Sequence, residues 1–140
     1  MYYISILLII LANIFYHFFQ KSTPNNINPI ASLIVTYITA LIGCIIILIF
    51  YPKDTNFIGS FKGLNWVSYA LGFTIIFLEL GFLLAYRAGW NISYGAVFCN
   101  VILTLLLIPI GILFFKEDIS TINLIGIPLC IIGLIFITWK

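Results

Sequence analysis

Five apolar stretches of about twenty residues each, separated by short polar breaks, dominate this chain and leave few choices of fold. A helix rises ~1.5 Å per residue, so about twenty residues cross a hydrocarbon core of ~30 Å. The runs lie near 2–19, 30–50, 66–86, 92–115 and 122–139. Lipid offers no partner to an open backbone N–H or C=O, so such runs are expected to be helical. Only 7% of the 140 residues are charged and 64% are hydrophobic. A soluble domain carries on the order of 25% charged residues. The reading is therefore an all-α, multi-pass integral membrane domain covering 1–140. The first run has no Lys or Arg ahead of it and no small-residue cleavage site, so it reads as a span rather than a signal peptide.

The breaks carry turn chemistry. Ser22 to Pro29 is rich in Asn and Pro, with Pro29 suited to open the next helix. Pro52 to Gly63 reads as the longest loop, while Arg87 to Asn91 and Lys116 to Ser120 are tight. Trp66, Trp90 and Trp139 fall at or beside predicted helix ends, where interfacial anchors belong. Cys44, Cys99 and Cys130 lie in apolar runs without a CxxC or a Cys/His cluster and read as small buried hydrophobes. The formal net charge of +2 is too small and scattered to suggest a nucleic-acid partner.

With five spans, the basic residues divide evenly. Lys53, Lys62 and Lys116 fall on one side and Lys21, Arg87 and Lys140 on the other. The positive-inside rule then has no preference. Dual topology, with copies inserting both ways and pairing antiparallel, is one reading of the tie. A chance balance among six charges is the other.

Glu79 stands inside the third run, whose only other ionisable groups are tyrosines. A carboxylate there costs ~3 kcal/mol on insertion scales, and such residues mark substrate or proton pathways by default. An acid in that position can hold a proton or a cation, but not both, which is a simple coupling device. Asn13, Thr36, Tyr37 and Asn100 lie, with Glu79, ~4–6 Å off the midplane on the same side if each run is a straight helix, nearly at one level. Spacing of three or four groups Asn13 with Tyr16, His17 and Gln20, and Asn100 with Ser93 and Thr104. Facing inward, these groups would wall a hydrated cavity around Glu79, with His17 a possible proton relay. The alternative is polar glue between helices, worth ~0.6–2 kcal/mol per bond. No catalytic dyad or metal cluster is visible, so the expectations are no enzyme activity, no cofactor and no metal.

The last third reads Phe114-Phe-Lys-Glu117, then Asp118-Ile-Ser120, Gly126 and Gly133, and it follows Phe82-Leu-Leu-Ala-Tyr-Arg-Ala-Gly89. Together with the five-span layout, this resembles one EamA repeat of the drug/metabolite transporter superfamily. The resemblance implies a transporter in which two five-helix repeats pair in inverted orientation. A chain with one repeat would need a second copy, giving a ten-helix antiparallel homodimer in a bacterial inner or cell membrane. The related small multidrug resistance proteins work as antiparallel dimers with a membrane glutamate on the first helix. Here Asn13 occupies the first helix and Glu79 the third. The proline that the family places early in the fourth helix is missing, with Thr104 near its place and Pro109 later. By the same similarity, Gly126, Cys130 and Gly133 form the dimer seam, and Glu117 is a structural or topological residue.

Function then reads as secondary transport of a small organic metabolite or cationic compound, proton-coupled through Glu79. Asn13, Tyr16, His17, Thr36, Tyr37, Asn100 and Thr104 would complete the site, with substrate, protons and lipid as partners. The alternatives are a subunit of a heteromeric transporter, and a lipid-linked-sugar flippase without proton coupling.

Overall fold

The computed structural model describes residues 2–50, 57–118 and 120–138. The elements among them are helices: α1 (Tyr2–Ser22), α2 (Pro29–Phe50), α3 (Phe57–Lys62), α4 (Trp66–Arg87), α5 (Ile92–Phe115) and α6 (Thr121–Thr138). Four of these, α1, α2, α4 and α5, are long and apolar enough to cross a membrane, as in a multi-pass membrane protein. The 18-residue α6 falls on the fifth predicted run. Lys53, Lys140 and Trp139, which enter the charge and anchor readings, lie outside the described residues.

Local chemistry sets the helix starts. Asn28 caps α2 through its side-chain oxygen, which accepts the Ile30 N–H at 2.8 Å, and Pro29 takes the first helical position, where a missing N–H is harmless. Asn65 repeats the device at α4, accepting from Val67 N–H at 3.0 Å. Between α4 and α5 the chain turns at Gly89, whose φ of 102° lies in a region that side chains with a Cβ rarely enter. Pro109 and Pro128 sit inside α5 and α6, and both helices continue through them.

Two boundaries differ from the sequence reading. The stretch read as the longest loop contains α3, a short helix closed by hydrogen bonds from Gly63 N–H to Ser60 and from Leu64 N–H to Phe61. Its glycines and flanking charges hide a helix too short to show a period. The first helix runs three residues past its predicted end at Phe19, to Ser22. Lys21 in its last turn suits the negative end of the helix dipole.

The chain divides into two compact units. One is Gln20–Arg87, in which α2 packs on α4. Its buried residues are Leu33 on α2 and Leu83 and Tyr86 on α4, with Leu83 only 1% exposed. The other unit joins 1–19 to 88–140, and in it α5 packs on α6. The division falls within α1. Most large apolar side chains of both units are exposed, a surface suited to lipid rather than water. The cysteines follow suit: Cys44, Cys99 and Cys130 are free and exposed, not buried as the sequence reading expects. In a membrane chain, apolar character does not demand a protein neighbour, because the solvent is itself apolar.

Candidate functional site

In the Gln20–Arg87 unit, Glu79 lies on the stripe of α4 that carries the buried residues. Leu83 and Tyr86 follow it at spacings of four and seven, and Ile75 precedes it by four. Glu79 is itself half-buried, and its Oε2 is shielded from solvent with no hydrogen-bond partner. On α2, Tyr37 stands one turn beyond the buried Leu33, and its hydroxyl is likewise shielded and without a partner. The two groups are close enough to interact electrostatically, yet they do not hydrogen-bond one another. Buried polar groups in native proteins are normally satisfied, and exceptions mark strain, function or a missing guest. The packed helices α2 and α4 thus hold a phenol and a carboxylate within electrostatic reach, each with an unused bonding position.

The end of this unit is tied by side chains reaching backbone carbonyls. Gln20 donates to the Glu79 carbonyl at 3.5 Å. Lys21 donates to the Tyr86 carbonyl at 3.1 Å, and its ammonium lies 5.7 Å from the Tyr86 ring centre. Arg87 donates through Nη2 to the Pro24 carbonyl at 3.1 Å. These bonds reach the Glu79 carbonyl, one carbonyl in the last turn of α4 and one in the break after α1, and hold the C-terminal part of α4 against residues 20–24. Gln20 belongs to a polar stripe visible in the sequence. The partners of Lys21 and Arg87 are not, because some sixty residues separate donor from acceptor.

The other expected site residues on α2 turn away. Thr36 is exposed and donates to the Ser32 carbonyl of its own helix at 3.1 Å, and Thr39 does the same to Val35 at 2.9 Å. Tyr37, not Thr36, shares the stripe of Leu33. In the unit 1–19 with 88–140, Asn13 is exposed and donates to the Ile9 carbonyl at 3.1 Å. Tyr16 is half-buried and His17 buried, with their rings edge to face at 5.1 Å.

That unit also carries an open groove of about 670 Å³ between α5 and α6. Asn100 and Thr104 line it from α5, and Gly126 and Cys130 from α6. The Thr104 hydroxyl donates to the Asn100 carbonyl at 2.8 Å, leaving the Asn100 amide exposed. Gly133 stands further along α6 and is not among the lining residues. The structure therefore brings together two expected site residues with two expected seam residues, a grouping that separate stripes do not reveal.

Glu117 and Asp118 complete the groove. Glu117 follows Lys116, which closes α5 in the left-handed conformation (φ 53°, ψ 39°). The reversal carries the Glu117 N–H to the Gly111 carbonyl at 3.2 Å and folds the carboxylate back over Gly111. A Cβ at position 111 would stand 2.5 Å from Glu117 Oε2, so glycine makes this approach possible. The signal was present as a glycine six residues ahead of a glutamate, but its meaning depends on the turn.

Comparison with protein-family models, with curated proteins and with solved structures finds no match to this chain.

Proposed function

We propose that this chain is one half of a secondary transporter that moves a small organic metabolite or cationic compound, with Glu79 as the group that exchanges proton for substrate. The observation that carries the reading is Glu79 Oε2, shielded and without a hydrogen-bond partner among the described residues, on a helix long and apolar enough to span a membrane. Such an acid is expensive to keep unless it has work to do. Protonated, it is neutral and tolerates the apolar surroundings. Ionised, it requires a cation. Alternating between these states couples substrate to protons, and Tyr37 beside it supplies a hydroxyl and an aromatic face for the cation.

The rest of the proposal follows the sequence resemblance to an EamA repeat. In it α6 is a fifth span, and a second copy inserts in the opposite direction to complete a ten-helix carrier. Support comes from α6 itself. A Cβ added at Gly133, which does not line the α5–α6 groove, would meet nothing within 4 Å, so this part of the small-residue face has room for a close helix neighbour.

The test is pH-driven uptake in proteoliposomes, screened over organic cations and metabolites by current on a solid-supported membrane. Glu79→Gln should bring the response to background while the protein still reconstitutes. In native membrane vesicles, before reconstitution, C-termini should be accessible to protease on both faces. Full uptake by the Gln variant removes Glu79 from the mechanism, and C-termini on one side alone remove the antiparallel homodimer.

A further inference from the structure

The α5–α6 groove belongs to the unit of 1–19 with 88–140. Val97, Val101 and Ile108 give it an apolar wall interrupted by Asn100 and Thr104, and the carboxylates of Glu117 and Asp118 stand at one end. Among the described residues no hydrogen bond or ion pair engages either carboxylate. That end coincides with the end of the α5 span, the depth of lipid headgroups. From Gly111, over which the Glu117 carboxylate lies, to Val97 the helix climbs about 21 Å. One leaflet contributes about 15 Å of hydrocarbon, so the groove is long enough for an acyl chain running from headgroup level to the bilayer centre.

We propose that the groove between α5 and α6 holds one phospholipid whose headgroup carries a primary ammonium, with the ammonium on Glu117 and Asp118 and one acyl chain along Val97 to Ile108. The charges fix the headgroup. Two carboxylates that make no ion pair among the described residues, Lys116 beside them included, repel an anionic lipid, and they accept hydrogen bonds from an ammonium bearing N–H groups, which a quaternary ammonium cannot donate. The apolar walls favour a lipid over a soluble amine. Gly111 is then a positioning residue, since the room above its Cα lets the Glu117 carboxylate face the groove.

Native mass spectrometry of the full chain tests this, using equimolar phosphatidylethanolamine, phosphatidylcholine and phosphatidylglycerol with identical acyl chains. Phosphatidylethanolamine should be retained at least about tenfold over each of the others, the scale of one charge-assisted hydrogen bond. The double variant Glu117→Gln, Asp118→Asn should level phosphatidylethanolamine with phosphatidylcholine. Gly111→Ala should reduce the preference while leaving thermal stability unchanged or raised, because alanine favours the helix and only a flexible carboxylate must move. Equal retention of the three lipids by the wild type, as expected if a second copy fills the groove, overturns the proposal. So does a preference that survives the double variant, or displacement of the lipid by an equal concentration of n-butylammonium.

Discussion

The α2–α4 pair and the α5–α6 pair are both built from apolar helices whose threonines bond to their own backbone, but they differ in their other polar groups. In the first, Gln20, Lys21 and Arg87 reach carbonyls far away in sequence, and Glu79 and Tyr37 are shielded with atoms unsatisfied. In the second, Thr104 bonds within its own helix, Glu117 bonds back to the helix it follows, and a groove stays open between the helices. Long-range polar ties fix a site in place and make it costly to leave empty. Local ties leave the helix surfaces free for something outside the pair. The contrast matches the two roles assigned here, an exchanging acid in one pair and a lipid cradle in the other.

The sharpest way to break the comparison is at Leu83, the most buried side chain of the Gln20–Arg87 unit. Leu83→Ala should lower stability by ~2–5 kcal/mol through the cavity it leaves, measured by unfolding in detergent micelles titrated with denaturing surfactant. A loss under about 1 kcal/mol would mean that Leu83 does not anchor the α2–α4 packing. A smaller effect belongs to the long-range tie. Lys21→Ala removes the donor to the Tyr86 carbonyl at the end of α4, and an exposed charge at a helix end is worth about 1 kcal/mol. That loss should shrink at high salt, and a salt-independent loss would point to packing instead. The smallest effect has the opposite sign. Lys116 adopts a left-handed conformation that favours glycine, so Lys116→Gly should raise the melting temperature, by about 0.5–1 kcal/mol in stability. An unchanged or lower melting point would show that the cap is held by the lysine side chain, not limited by its backbone.

The helices were legible because membrane spans are set by length and hydrophobicity alone. The predicted limits 30–50, 66–86 and 92–115 lie within one residue of α2, α4 and α5. Short α3 was not legible, since six residues carry no usable period. Facing was harder still. On α2 the polar stripe through Ser32 and Thr36 suggests an inward face, yet the structure turns Leu33 and Tyr37 inward and lets the threonines bond to their own backbone. A threonine hydroxyl that can reach a carbonyl one turn back has no need of a protein interior. At the groove, Asn100, Thr104, Gly126 and Cys130 were each visible, but for separate purposes.

The sequence by itself determined that the chain is helical, that its long helices suit a membrane, and that one acid sits within an apolar span. Those properties depend on composition counted along a single helix. Only the tertiary structure decided that Tyr37 is the neighbour of Glu79, that Lys21 and Arg87 secure the end of α4, and that Glu117 turns back over Gly111 into a groove. Each of these depends on the rotation of a helix about its axis or on one backbone turn. In an apolar solvent, hydrophobicity exerts little torque on a helix, so the choice of face falls to packing and to hydrogen bonds between distant residues.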